Sequence, residues 1–411
     1  MNILFIHQNF PGQFRHIAPR LASEGNTVYA LSIMNTKHKV WRGVHLIPYS
    51  VRRANLPDQH EWIRDVESKI IRAEACLKAC MSLKEQNFVP DIIVGHPGWG
   101  ETMFTKEVWP HSKLILYCEF FYHATGTDMG FDPEFDQTED TLRNCKVRMK
   151  NINNYMHFES FDKGISPTNW QASTYPQSIQ PKIKVIHDGI DTNFARPEKS
   201  ATLTISREGV ERKLTEKDEV VTFVNRTLEP YRGYHIFLRS LPKILKNHET
   251  AEILIIGGNE GGYGPPPEGG GTWQDIFRKE VLSNLPQSQI NRVHFLGNVP
   301  YATYLNVLQI SSAHVYLTYP FVLSWSMLEA MSCSVPIIAS DTQPVTEVLT
   351  DGENGILVDF FDFDAISHQV SRILNDKKLN RYIGENARAT IVEHYDLETK
   401  SMPAQQNWIL N

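Results

Sequence analysis

The sequence predicts an α/β protein of two doubly wound domains that face each other across a cleft, and three observations carry this. The chain has 411 residues, too many for one ordinary core and suited to two domains of roughly 200 residues each. Short, continuous apolar runs rich in β-branched residues alternate with amphipathic segments of helix length, the signature of parallel strands covered on both faces. That alternation stops at a polar stretch near the middle and then starts again.

Taken in order, "NILFIH", "TVYALS", "DIIVGH" and "KLILYCEFF" read as the strands of a first domain. Between the first two lies "GQFRHIAPRLASEG", a helix expected to open after Pro11-Gly12 and close at Gly25. The stretch "ARPEKSATLTISREGVERKLTEKDE" has no apolar period and reads as the connection between domains, with the boundary at residues 198 and 199. Five further strand-like runs follow: "EVVTFVNR", "EILIIGG", "VHFLG", "AHVYLTYP" and "VPIIASD". The second domain is predicted over residues 199–394, and a helix within about 395–411 is expected to cross back onto the first. "GGNEGGYGPPPEGGG" reads as a long mobile loop.

Hydrophobic residues at 41% and charged residues at 21% describe a globular protein. A net charge of −6 argues against nucleic acid as a partner, because such binders carry a basic face. The basic clusters "LRNCKVRMK" and "VRR" read as solvated helix or loop faces, or at most a peripheral contact with anionic lipid. Five cysteines, at 76, 80, 118, 145 and 333, form no disulfide framework and suggest a reducing compartment. Cys76 and Cys80 share a helix face but lack two further zinc ligands nearby, so buried thiols are the expectation. "MNILFIHQNF" lacks a basic lead, and no apolar run reaches the ~20 residues of a membrane span. The protein is therefore expected in the cytoplasm, touching at most the inner face of a membrane.

In doubly wound sheets ligands bind where strands end and helices begin. After "VTFVN", Arg226 stands at a strand end and Arg232-Gly233 opens the next helix. Two guanidiniums near a helix N-terminus suit a diphosphate. After "AHVYLTY" comes "PFVLSWSMLEAM", again entering a helix, where backbone N–H groups can hold phosphate or sugar hydroxyls. Glu329 lies in that helix, and a carboxylate there can accept the two hydroxyls of a ribose. Arginines for a diphosphate and a carboxylate for a diol together describe a nucleoside diphosphate.

The motifs "VNRTLEPYRG", "VHFLGNVPYATYLNVLQISSAHVYLTYP", "LEAMSCSVPIIASD", "EVLTDGENGILV" and "VIHDGIDTNFARP" resemble the motif series of retaining, nucleotide-sugar-dependent family-4 glycosyltransferases. "FIHQNFPGQFRHIAPRLA", "GHPGWGETMF" and "EFFYHATGTDMGFDPEF" resemble a bacterial branch of that family, so the likeness covers most of the chain. The resemblance implies the GT-B fold, with an acceptor-side first domain and a donor-binding second domain, both Rossmann-like. It implies donor-phosphate contacts from Arg226, from Arg232 where the family usually has lysine, and from the backbone of Gly12, Leu323, Ser324 and Trp325. It also implies that Glu329 holds the ribose and that Val299 lies where the base is read. The partners it implies are a nucleotide-sugar donor and a sugar, lipid-linked or other hydroxyl acceptor. No cofactor and no metal is expected, the nucleoside-diphosphate sugar being a co-substrate. The implied activity is hexosyl transfer in bacterial surface polysaccharide or glycoconjugate synthesis.

Two departures from the family pattern stand out. The first glutamate of the family's pair, eight residues before the second, falls on Phe321, and the family's histidine position at a first-domain strand end falls on Glu119. His96, Glu119 and His123 all lie after strands of the first half and are the candidates for catalytic contacts there. Glu101 and Trp99 follow His96 at a helix start, where capping by the glutamate is the simpler account.

Rival readings find less support. A dinucleotide dehydrogenase would need Gly-x-Gly-x-x-Gly after the first strand, where "HQNFPGQF" stands instead. Asp362 and Asp364 in "FFDFDAISHQV" have the spacing of a metal-binding pair, but they head a helix and read as caps. No nucleophile-elbow sequence supports a serine hydrolase. A sugar-nucleotide epimerase or a sugar-phosphate synthase of the same fold stays open, the latter with Arg15 and His16 as phosphate contacts. A binding protein without turnover also stays open, on the strength of Phe321.

Overall fold

The computed structural model describes residues 1–33, 39–135, 141–207 and 210–411. It forms two compact units, Met1–Gly189 with Glu398–Asn411, and Ile190–Leu397. The first unit holds β1 (Asn2–Ile6), β2 (Thr27–Ser32), β3 (Lys39–Trp41), β4 (Val44–Pro48), β5 (Ile92–Gly95), β6 (Lys113–Tyr117), β7 (Lys163–Ser166) and β8 (Ile183–Val185). Their order is β3-β4-β2-β1-β5-β6-β7-β8, parallel throughout except for the β3–β4 edge pair. Ile3, Leu4, Phe5 and Ile6 are fully buried, as are Ile93 and Ile115, because helices cover both faces of the sheet.

The second unit contains an antiparallel pair, β9 (Leu203–Arg207) with β10 (Val210–Leu214). It then builds β11 (Val220–Thr227), β12 (Glu252–Gly258), β13 (Val293–Gly297), β14 (Ala313–Tyr316), β15 (Ile337–Ser340) and β16 (Ile356–Val358). These six are all parallel, in the order β13-β12-β11-β14-β15-β16.

Several expectations change here. The chain passes between units at Gly189–Ile190 rather than at 198–199. The polar stretch after it is no plain connection, since Leu203, Ile205 and Leu214 pack into the second core while their neighbours face water. That alternation has period two and is too short to register among so many charges. The first helix opens as a 3-10 turn over Gly12–Phe14 and becomes α-helical only over Ile17–Ser23.

The C-terminal helix, Met402–Leu410, belongs to the first unit. Trp408 Nε1 donates to the Gly164 carbonyl at 3.0 Å, and Gln405 Nε2 donates to that of His187 at 3.1 Å. Cys76 and Cys80 are buried on one face of the helix Arg64–Glu85. Among the described residues no helix is long and apolar enough to cross a membrane.

Candidate functional site

Each parallel sheet reverses direction once, and ligands of such sheets gather at that switch point. In the second unit it lies between β11 and β14, since β12 and β13 extend to one side and β15 and β16 to the other. Arg226, on β11, is exposed and donates from Nη2 to the Gly261 carbonyl at 2.7 Å. Arg232 is buried at 5% exposure, and its Nη1 donates to Thr318 Oγ1 at 2.8 Å and to the Val322 carbonyl at 2.9 Å. Burial works against its charge, but the Tyr316 and Tyr263 phenols and the Glu229 carboxylate outweigh this and hold the guanidinium above its ordinary range. Gly233 follows with φ of +66°, and a Cβ there would lie 2.3 Å from Leu317 Cβ. Only glycine allows the chain to turn this tightly from Arg232 into the helix Tyr234–Asn247.

The helix Trp325–Ser332 starts at the same switch point, capped by Ser324 Oγ, which accepts from Ser326 N at 3.3 Å. The Ser324 amide itself donates to the Tyr316 hydroxyl at 2.9 Å, so the backbone donors at this entry are fewer than the resemblance implies. Leu323 is buried and Trp325 half-buried beside it. Glu329 is 6% exposed and is already hydrogen-bonded: Oε1 accepts from the Tyr301 hydroxyl and Oε2 from that of Tyr304, both at 2.6 Å. A carboxylate accepts about four hydrogen bonds, so these two do not by themselves exclude a diol. Val299 is half-buried against the same core. Phe321 is buried edge-on to Tyr263 and Tyr231, with ring centroids 4.9 and 5.7 Å apart.

The switch point of the first unit lies between β1 and β5. His7 follows β1, His96 follows β5, and Glu119 lies just past β6. Asn9 N donates to His7 Nδ1, and Gly98 N donates to His96 Nδ1, each at 3.0 Å. Both imidazoles therefore carry their proton on Nε2. His7 Nε2 donates to Gln13 Oε1 at 2.8 Å, and Gln13 Nε2 donates to Glu119 Oε1 at 3.0 Å. His96 Nε2 faces Glu119 Oε2 at 3.4 Å without hydrogen-bond geometry. Gly12 (φ +47°) makes this arrangement possible, because a Cβ there would lie 2.4 Å from the His7 ring.

Burial and the nearby His96 depress His7 to about 3, against the opposing hydrogen bond that His7 donates to Gln13. Burial works to raise Glu119, but His96 and the Gln13 amide prevail and hold it below the usual carboxylate range. The result is an ionised carboxylate beside a neutral His7 imidazole, walled by Trp99, whose ring lies 4.4 Å from that of His96.

The structure thus gathers Arg226 and Arg232 in one place, and His96 with Glu119 in the other. His123 does not join them: its Nε2 donates to the Thr174 carbonyl at 2.6 Å, in a depression lined by Phe121, Cys145 and Tyr155. Glu101 is not a helix cap but a buried acid whose Oε1 accepts from the Tyr49 hydroxyl at 3.1 Å, and burial raises it. Asp362 does cap its helix, accepting from Ala365 N at 2.7 Å. Sequence reasoning passed over His7, Gln13, Glu229 and Tyr263. His7 was hidden inside the run "NILFIH", although its place after a first strand was the available signal. Glu229 and Tyr263 carry no such signal, because they meet only through a loop closure.

The loop "GGNEGGYGPPPEGGG" is not simply mobile. Glu229 is buried and accepts from Tyr263 N at 2.9 Å and Gly264 N at 3.0 Å, while Thr227 Oγ1 donates to the Glu260 carbonyl at 3.0 Å.

Two family descriptions match the chain in succession, "Glycosyl transferase family 4 group" over residues 24–195 and "Glycosyl transferases group 1" over residues 206–390. The chain belongs to the family-4 glycosyltransferases. Among curated relatives it is 28% identical to the phosphatidyl-myo-inositol mannosyltransferase of Mycobacterium leprae, covering 43% of each chain. It is 23% identical to the capsular polysaccharide biosynthesis glycosyltransferase CapM of Staphylococcus aureus, covering 44% of this chain and 43% of CapM. The matched part is less than half the length of these relatives. Solved structures resemble the whole chain. Sucrose-phosphate synthase of Thermosynechococcus elongatus matches with a TM-score of 0.71 at 16% identity, covering 99% of this chain and 98% of its own. HepE of Anabaena in complex with UDP and glucose matches with 0.66 at 14% identity, covering 99% of both. These likenesses establish the GT-B fold, two Rossmann-like α/β units in one chain.

Proposed function

We propose that this protein is a retaining glycosyltransferase that moves a hexosyl group from a nucleoside-diphosphate sugar to an acceptor hydroxyl. The observation that carries the reading is the pair Arg226 and Arg232 at the β11–β14 switch point, with Glu329 in the helix that starts there. The arginines take the diphosphate, Glu329 the ribose, and Val299 lies along the base. As the glycosidic bond breaks, charge grows on the leaving diphosphate, and the two guanidiniums stabilise it where it develops. The acceptor hydroxyl attacks the same face of the sugar and passes its proton to the leaving phosphate. No metal is needed, because fixed cations carry the charge a divalent ion would otherwise offset. Glu119 and His96 in the first unit supply the acceptor's polar contacts. Assembly of a surface polysaccharide or other glycoconjugate is the role most in keeping with CapM among the relatives.

Phe321 favours a second reading. A buried ring in place of a carboxylate suits a protein that binds nucleotide sugars without turning them over.

Thermal unfolding against UDP, GDP, ADP, CMP, their sugars and NAD tests the donor. One nucleoside diphosphate at 100 times its Kd should add about 2.7 kcal/mol, and Glu329→Ala should abolish most of that gain. Stabilisation by NAD alone would defeat the proposal. Donor hydrolysis that persists in EDTA would separate the enzyme from the binder and support metal independence.

A further inference from the structure

Both arginines assigned to the diphosphate already touch the same side chain. Arg226 Cζ lies 5.4 Å and Arg232 Cζ 5.1 Å from the centroid of the Tyr263 ring. Among the described residues their other hydrogen-bond and ring partners are neutral: the Gly261 carbonyl for Arg226, and Thr318 Oγ1, the Val322 carbonyl and the Phe321 ring for Arg232, with the Glu229 carboxylate acting on Arg232 through its charge. Tyr263 comes from the glycine-rich loop after β12, which Glu229 and Thr227 tie down immediately beside the arginines. Gly262 lets the loop lie this close, because a Cβ there would fall 2.3 Å from Glu229 Oε2. The loop is otherwise sparsely packed: a Cβ at Gly261, within the tied stretch, or at Gly269, Gly270 or Gly271 beyond it would meet nothing within 4 Å, and the Tyr263 side chain is 43% exposed.

We propose that Tyr263 is a self-ligand of the phosphate site, its ring holding the place at Arg226 and Arg232 that the donor's diphosphate takes. Entry of the diphosphate turns the phenol away while the Glu229 tie keeps the backbone near. The inference rests on the donor reading above and adds a residue and a loop to it. The energies run in this direction. A guanidinium on an aromatic face gains little where exposed, as at Arg226, and more where buried, as at Arg232, whereas charge-assisted bonds to phosphate are about twice as strong as neutral ones. The tyrosine is thus a competitor weak enough to be displaced and strong enough to keep the two cations covered.

Titration calorimetry of the wild type, Tyr263→Ala and Tyr263→Phe with inorganic pyrophosphate and with the nucleoside diphosphates tests this. Removing the competitor should tighten binding by roughly 2- to 30-fold in Tyr263→Ala, with Tyr263→Phe between it and the wild type. Unchanged or weaker nucleotide binding in Tyr263→Ala would overturn the self-ligand and leave the donor reading standing. Tighter pyrophosphate binding with no nucleotide bound would support the self-ligand and overturn the donor reading. Failure of both ligands with every variant would overturn both. As a second measurement, pyrophosphate should speed nitration of the Tyr263 ring by tetranitromethane in the wild type by exposing the phenol; protection instead would count against displacement.

Discussion

Where β1 and β5 part in the first unit, the strand ends carry His7 and His96, with Glu119 just past the neighbouring β6; where β11 and β14 part in the second, the end of β11 carries Arg226 and the turn to Arg232. The backbone device is the same in both, a glycine at positive φ soon after the first strand of the reversal, Gly12 at +47° and Gly233 at +66°. What differs is the charge the device presents. The first unit keeps an ionised carboxylate near the neutral His7 imidazole, and the second keeps a buried guanidinium charged. Topology therefore fixes where a ligand site lies, while the side chains chosen at that spot decide which ligand it suits.

The glycines give the largest expected effects. Gly233→Ala would press a Cβ onto the inflexible Leu317 Cβ and should cost about 3 kcal/mol. Gly12→Ala meets an imidazole ring that can shift, so about 2 kcal/mol is expected, together with loss of the His7–Gln13–Glu119 relay. Urea unfolding of both variants would rank them, and equal costs would break the distinction between a rigid and a yielding neighbour. Next comes charge: Arg226→Ala should lower transfer by about a hundredfold, whereas Glu119→Gln should leave nucleoside-diphosphate binding unaltered. A transfer assay on Arg226→Ala and binding calorimetry on Glu119→Gln read this, and weakened nucleotide binding by Glu119→Gln would erase the division between the sites.

Acid gives a smaller and more graded contrast. Burial holds His7 near 3, His187 near 4 and His157 lowered in the first unit, with His314 near 3 in the second. A histidine lowered in the fold is protonated first in the unfolded chain. Each one therefore removes stability as pH falls below 6.5 towards its folded value, at up to ~1.4 kcal/mol per pH unit. Glu119, depressed in the fold, adds to this loss below about 4.5. Hydrogen exchange between pH 6.5 and 4 should release the amides of β1 and β5 before those of β11 and β14.

The places of the candidate residues in the second unit were legible in the sequence because they follow strands directly: Arg226 ends "VTFVNR", and Glu329 lies one turn inside a helix that "PFVLSW" announces. Their partners were not. Tyr301 and Tyr304 reach Glu329 from a helix 25 or more positions earlier, and Glu229 meets Tyr263 only by loop closure. Sequence periodicity reports which face of an element is buried and is silent on such long-range pairings. The fold was read more fully, since continuous apolar strands need no partner to be recognised. Even there β3, β4, β7, β8, β9, β10 and β16 escaped, being short or partly polar.

Trp408 and Gln405, which bind the backbone beside β7 and β8, come from a segment made after the whole of the second unit. On the ribosome, then, the N-terminal unit starts first yet finishes last. The continuous Ile190–Leu397 unit can close its sheet while its neighbour still lacks the Met402–Leu410 helix. A chaperone meeting the nascent chain would find its longest-lived exposed surface on the half that was synthesised earliest.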